Sequence, residues 1–294
     1  MSGGRMLVGL VGANILKSLS PALHEDAFAA AGIRGHYHLM DLDRLHGRRL
    51  EQLLGAIKTA GFHGINVTYP CKQAIIPLLG DISADAQRIG AVNTVTISES
   101  GRMVGHNTDR IGFRRSFEEG LGRDAIEDRI AVLVGAGGAG RAVGFALMEL
   151  GAAKVVVYDT DMARAATLVA DLMLHHGASR CRLADNLPDA LAEAAGVVNA
   201  TPIGLLGIPG NPVPAGALRA DHWVADIIYT PIETLLIKAA RARGIRVLTG
   251  GGMCVHQAAE AFRLFTGLVP DITRMHRTFA TALAQRDAAI ASVA

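Results

Sequence analysis

The chain reads as a two-domain α/β protein, and three observations carry that reading. Short β-branched runs alternate with amphipathic helical stretches along most of the length. Two strand-like runs split by Glu99-Ser100-Gly101 form a β-hairpin signal that closes a first series. After a polar segment, "LGRDAIEDR", the alternation restarts at "IAVLV". The 294 residues suffice for two domains, and with half of them hydrophobic a sizeable core can be buried.

The first series opens with a strand at "MLVGLVG" and a helix over residues 21–31, where Pro21 suits a first helical turn. A strand at "HYHLMDL", a helix near 47–60 and the strand "GINVTY" follow, before the hairpin in "AVNTVTISESGRMVGHNTD". An antiparallel hairpin in an otherwise parallel series predicts a mixed, mostly parallel sheet. A helix over 109–120 leads to the second series: "IAVLV", "KVVVYD", a helix over 161–176, "GVVNAT", "WVADII", a helix over 231–243 and "RVL". The last forty residues carry helical periodicity, as in "VHQAAEAFRLF".

Bulk composition excludes several classes. A net charge of +2 with scattered basic residues, and only 4% aromatics, argues against nucleic acid as a partner. No apolar stretch reaches the ~18 residues a membrane span needs, and the N-terminus reads as a buried strand rather than a signal peptide. Cys71, Cys181 and Cys254 are far apart and odd in number, which fits a reducing compartment and a cytoplasmic location. The histidines show no metal-ligand spacing, so no metal is expected. The sequence leaves monomer and homodimer both open.

"IAVLVGAGGAGRAVGFAL" places Gly135-x-Gly137-x-x-Gly140 after a buried strand and at the start of a helix, with Gly138 and Ala139 inside the turn. The first glycine permits the tight turn, the second lets backbone approach a pyrophosphate, and the third lets helix and strand pack closely. The next strand ends in Asp159, nineteen residues beyond Gly140, where a carboxylate accepts from ribose hydroxyls. The second domain therefore reads as a Rossmann dinucleotide-binding domain. A carboxylate at 159 repels a 2′-phosphate, and Arg164 is the one nearby cation, so NAD is favoured over NADP. The alternative is a generic turn with Asp161 capping the next helix.

A dinucleotide performs hydride transfer and leaves one proton for the protein to manage. Only five of the 29 basic residues are lysine, yet Lys72 is the single charge in "GINVTYPCKQAIIPLL". Lysine can give up its proton where arginine cannot, so Lys72 is a candidate proton carrier. Asn66/Thr68/Lys72, Asn93/Thr94 and Asn107/Asp109 recur at three strand ends. Uncharged hydrogen-bonding groups beside a Lys/Asp pair suit a small polyhydroxylated substrate. Taken singly, each Asn or Thr could equally satisfy a local turn.

With "SLSP", "NVTYPCK", "AVNT", "GHNTD", "GAGGAGRA", "NATPIGL" and "GGMCVHQA" in this order, the chain resembles the shikimate dehydrogenase family over nearly its full length. It is most like the NAD-preferring quinate/shikimate dehydrogenase branch. The resemblance implies two α/β domains with a cleft between them. Residues 1–112, completed by 253–294, would form the substrate-binding catalytic domain, and 113–252 the NAD-binding domain. It implies interconversion of shikimate and 3-dehydroshikimate, with quinate a second substrate, by hydride transfer to NAD; the substrate is then a polyhydroxylated cyclic carboxylate.

By the same resemblance Lys72 and Asp109 are the catalytic pair. Ser18 and Ser20 hold the carboxylate, although Ser20 also reads as a helix N-cap. Tyr229 approaches that carboxylate, and Thr68, Asn93, Asp109 and Gln257 bind ring hydroxyls. Thr201, Pro202, Ile228, Gly250 and Met253 line the nicotinamide. The rival within the class is an NADP-linked biosynthetic enzyme. A non-catalytic dinucleotide-binding regulator would lack the Lys/Asp pair, and both residues are present.

Overall fold

A computed structural model describes residues 4–45 and 49–292. The first two positions of the helix expected over 47–60 lie outside the described residues. The chain divides into two compact units, Met1–Thr108 with Val255–Ala294, and Asp109–Cys254.

The first unit is built on β1 (Arg5–Gly12), α1 (Ser20–Ala30), β2 (Arg34–Asp41), α2 (Leu50–Thr59), β3 (Gly64–Val67), α3 (Cys71–Ala74), β4 (Asp81–Ile82), α4 (Ala84–Ile89), β5 (Thr94–Ile97) and β6 (Met103–His106). Its six-stranded sheet runs β2-β1-β3-β5-β6-β4. Only β5 is reversed, pairing antiparallel with β3 and β6, so the mixed sheet expected from the hairpin is present. Alternation along β1 sends Val8 and Leu10 to one face, with Phe28, Tyr37 and Phe262. Val11 goes to the other, with Leu54, Ile57, Ile65, Val67 and Ile75.

The second unit holds α5 (Asp109–Gly120), β7 (Ile130–Val134), α6 (Gly138–Glu149), β8 (Lys154–Tyr158), α7 (Met162–His176), β9 (Cys181–Leu183), α8 (Leu187–Glu193), β10 (Gly196–Asn199), β11 (Trp223–Asp226), α9 (Leu235–Arg241) and β12 (Arg246–Leu248). Its sheet is wholly parallel in the order β12-β11-β10-β7-β8-β9, the doubly wound dinucleotide-binding topology. β10 is short and buried throughout, and its Gly196 is required by packing: a Cβ there would lie 2.2 Å from the ring of Trp223. That indole donates from Nε1 to the Ala125 carbonyl at 2.9 Å and meets Phe117 edge-on at 5.0 Å. The unit boundary falls within α10 (Gly250–Thr266), and α11 (Ile272–Ala291) follows. α11 is fastened to α1 by Arg274, whose guanidinium donates twice to Asp26 at 2.7 and 2.8 Å.

Several boundaries differ from expectation for local reasons. α9 starts at Leu235 rather than 231, because Thr234 accepts from the Ile237 amide and caps it. Ser20 is the first residue of α1 and makes no side-chain cap, so the N-cap reading is corrected. Ser18 instead receives the Ser20 amide at 3.2 Å. Asp161 does cap α7, accepting from the Arg164 amide at 3.0 Å. The two- and three-residue strands β4 and β9 carry no periodicity for a sequence to show. No helix among the described residues is long and apolar enough to cross a membrane.

His24, on the buried face of α1, is fully enclosed among Tyr37, Phe28 and Phe265, and neither ring nitrogen has a hydrogen-bond partner among the described residues. Burial pushes its pKa from 6.5 down to about 3. The folded state therefore holds His24 neutral, while the unfolded chain takes up a proton below ~6.5. Its contribution to stability is complete above that pH and falls by ~1.4 kcal/mol per pH unit as acidity rises toward the folded pKa. We expect His24→Phe to lose stability less steeply than the unsubstituted protein between pH 6 and 4.5. Urea midpoints at three pH values measure the slope, and parallel slopes would refute the assignment.

Candidate active site

In the first unit the register brings the candidate residues to one edge of the sheet. Leu10 pairs with Asn66, Asn66 with Thr94, and Thr94 with His106. The carboxyl ends of β1, β3 and β6 and the start of the reversed β5 therefore coincide, at the edge where open α/β sheets bind ligands. Thr68 follows β3, with its amide on the Val11 carbonyl at 2.9 Å. Gly12 makes room for it, since a Cβ there would lie 2.3 Å from Thr68 Cγ2. Lys72 lies in the short α3, partly exposed, and its carbonyl accepts from the Val92 amide at 2.8 Å. That bond ties the lysine's backbone to the segment carrying Asn93.

Asn93, Thr94, Asn107 and Thr108 are all nearly or fully buried. Asn93 Oδ1 accepts from the Thr108 amide at 2.7 Å and from Thr94 Oγ1 at 3.1 Å, while its Nδ2 donates to Thr108 Oγ1 at 2.8 Å. Asn107 Nδ2 donates to the Ala91 carbonyl at 2.9 Å. Asn66, grouped with the ligand-facing residues on sequence grounds, serves the scaffold. Its Nδ2 donates to Thr94 Oγ1 at 2.9 Å and the Asn93 carbonyl at 3.3 Å, and its Oδ1 accepts from Tyr37 at 2.9 Å. Ser18 and Ser20 lie together, their hydroxyls 3.1 Å apart. Gln257 sits partly exposed on α10. Tyr37 and Thr108 were not singled out in the sequence; the only signal for Thr108 was its place inside "GHNTD".

In the second unit the turn between β7 and α6 has the form an anion cradle requires. Gly135 has φ of +102°, and a Cβ on Gly140 would lie 1.9 Å from the Gly135 carbonyl oxygen. At Gly137 a Cβ would meet nothing within 4 Å, so the turn leaves open space beside the first amides of α6. Gly138 and Ala139 supply the next two amides of that helix start. Asp159 is 9% exposed; its Oδ2 accepts from the Ala136 amide at 2.7 Å and its Oδ1 from the Asp161 amide at 2.9 Å. Each oxygen keeps a lone pair for a ribose hydroxyl. Arg164 reaches Asp161 at 3.2 Å and Asp159 at 3.9 Å. These residues fit a dinucleotide.

A buried network missed from the sequence continues the same strand-end edge, where Asn199 pairs with Val134 and with Asp226. Asp226 accepts from Asn199 Nδ2 at 3.1 Å, the Ile228 amide at 3.1 Å and Thr234 Oγ1 at 2.7 Å. Burial raises its pKa, against those three hydrogen bonds. Asn199 Oδ1 in turn holds Thr201 through its amide and hydroxyl, at 2.9 and 2.7 Å, so Thr201, Pro202 and Ile228 stand on backbone fixed by one carboxylate. Gly250 starts α10 against backbone, where a Cβ would lie 2.2 Å from the Ile227 carbonyl oxygen. Met253 is buried, and Tyr229 partly exposed. Asp109 is the first residue of α5 and is 4% exposed. All three thiols are buried; burial raises the pKa of Cys71 and pushes Cys181 to about 11, consistent with packing roles.

Residues 10–95 match the family model for the shikimate dehydrogenase substrate binding domain, and 250–278 that for the shikimate 5'-dehydrogenase C-terminal domain. The chain is 47% identical over 283 residues to the quinate/shikimate dehydrogenase (NAD(+)) of Corynebacterium efficiens, covering 95% of this chain and 99% of that protein. It is 49% identical over 280 residues to the shikimate dehydrogenase (NADP(+)) of Streptomyces avermitilis, covering 94% and 95%. The solved quinate dehydrogenase from Corynebacterium glutamicum in complex with NAD superposes with a TM-score of 0.86 at 44% identity, covering 95% of this chain and all of that one. By fold, motif and sequence alike, the chain belongs to the shikimate dehydrogenase family.

Proposed function

We propose that this protein is an NAD-preferring dehydrogenase that interconverts shikimate and 3-dehydroshikimate, with quinate and 3-dehydroquinate as a second pair. Relatives of nearly equal identity are named for NAD and for NADP, so overall similarity does not choose between the cofactors. The observation that carries the choice is the charge around Asp159. Two carboxylates, Asp159 and Asp161, share the single guanidinium of Arg164, leaving a net charge of −1 where a 2′-phosphate would enter. At ~4 Å and an effective dielectric of ~20, each unit of like charge costs ~4 kcal/mol before screening. A ribose hydroxyl there finds acceptors instead.

When bound, a nicotinamide would supply the acceptor for hydride from the substrate's alcohol carbon. The protein's part is to orient the ring and remove the hydroxyl proton. Ser18, Ser20 and Tyr229 hold the carboxylate, and Thr68, Asn93, Asp109 and Gln257 the ring hydroxyls. Lys72 takes the proton at Nζ during oxidation and returns it during reduction, with Asp109 as its carboxylate partner in catalysis. The amides following Gly137 bind the pyrophosphate, Asp159 binds the ribose, and Thr201, Pro202, Ile228, Gly250 and Met253 line the nicotinamide.

Lys72→Ala is expected to lower kcat for shikimate oxidation by ~10²–10⁴ with a smaller change in KM; an unchanged kcat removes Lys72 from the proton step. Rates with NAD and NADP at equal concentration should favour NAD, and Asp159→Asn should narrow that ratio; a clear preference for NADP overturns the cofactor assignment. The two glycines should separate binding from folding. Gly137→Ala fills open space, so it should raise the KM for NAD by about tenfold while Tm moves little. Gly140→Ala meets a carbonyl and should cost about 1–3 kcal/mol of stability. Equal effects on Tm would refute the cradle.

A further inference from the structure

Tyr37 belongs to no motif, yet it reaches the substrate-binding edge of the first unit by an indirect route. It pairs with Val8 on β2, while Asn66 pairs with Leu10 on β3, so β1 lies between them. The phenol spans that strand, two interstrand spacings of ~4.8 Å, and meets Asn66 Oδ1 at 2.9 Å. Its ring is 2% exposed and stacks on His24 at 4.8 Å between centroids.

The bonds beyond Tyr37 have a fixed direction. The Asn66 atom facing the Asn93 carbonyl must be Nδ2, because a carbonyl only accepts. Asn66 Oδ1 is therefore the end that faces Tyr37, and the phenol donates. Asn66 Nδ2 also donates to Thr94 Oγ1 at 2.9 Å, and the Thr94 hydroxyl in turn donates to Asn93 Oδ1 at 3.1 Å, its nearest acceptor. The Thr108 amide takes the other lone pair of that oxygen at 2.7 Å. The Thr108 hydroxyl also lies 3.2 Å from Oδ1 and 2.8 Å from Nδ2. With Oδ1 so engaged, a ligand meets the Asn93 side chain at Nδ2, as a donor.

We propose that Tyr37 is a positioning residue for substrate recognition, holding Asn93 through Asn66 and Thr94 as an obligate donor that selects a ligand oxygen able to accept. The inference rests on the reading of this edge as the shikimate site. It explains why a hydroxyl sits so deep behind the sheet: a phenylalanine would fill the same space and leave Asn66 Oδ1 without this donor.

The test is steady-state kinetics on Tyr37→Phe, Asn93→Ala and the double variant, with shikimate and NAD. Tyr37→Phe should raise the KM for shikimate about three- to tenfold, the value of one buried hydrogen bond. Its kcat should change by less than about twofold, and so should the KM for NAD. In the Asn93→Ala background the same substitution should add less than about 1.5-fold, because the two residues act through one chain. A full, additive KM effect in that background, or none in the single variant, overturns the proposal. If Tyr37→Phe does not fold, Thr94→Val breaks the chain one link nearer Asn93 and is expected to give the same split and the same coupling. A wild-type protein that does not oxidise shikimate overturns the functional reading and this inference with it. An active wild type with an unmoved KM in the variant overturns only the inference.

Discussion

The first unit depends on satisfying buried amides at the place where β5 runs against its neighbours. A side-chain amide enclosed without partners costs on the order of 1–3 kcal/mol. Asn66, Asn93 and Asn107 are all enclosed there, within a few residues of one another across three strands. Their hydrogen bonds to Thr94, Thr108 and the Ala91 carbonyl meet that cost only if the strand ends keep their present register. Beside them, backbone bonds from the Thr68 amide to the Val11 carbonyl and from the Val92 amide to the Lys72 carbonyl fix where Thr68 and Lys72 leave the sheet. Rigidity of the scaffold and placement of the candidate residues are one requirement here.

The second unit answers a different demand, the binding of an anion and its ribose. It does so with backbone: Gly140 lies too close to the Gly135 carbonyl for any Cβ, and open space remains at Gly137, where α6 begins. Side chains enter mainly as charge. Asp159 is drawn in by two amides and so becomes a pre-positioned acceptor, and Arg164 is already shared between two carboxylates. Two carboxylates around one guanidinium thus leave a local imbalance of a single charge beside the turn.

Much of this was legible in the sequence because it repeats or is punctuated. Both series of strands, the hairpin, the glycine turn and Asp159 announce themselves through period, spacing or turn residues. Tyr37 could not be found that way. Its partner is 29 residues distant and is reached only because β1 inserts between β2 and β3. Asp226 and Asn199 were hidden for the same reason, each reading alone as an ordinary polar residue ending a buried strand. Ser20 misled in the opposite direction, since a serine before proline resembles a cap, while the chain starts the helix at Ser20 and leaves its hydroxyl beside Ser18.

The chain's one tryptophan lies in β11, wedged against Gly196 and Phe117. Its emission, excited at a wavelength tyrosine does not absorb, is consequently a private reporter of Asp109–Cys254. Loss of order confined to the other unit leaves that signal dark to it, whereas tyrosine absorbance, with Tyr37 and Tyr69 in Met1–Thr108 and Tyr158 and Tyr229 beyond it, registers both. Two optical probes therefore distinguish, in one melting curve, whether the units come apart in concert or in turn.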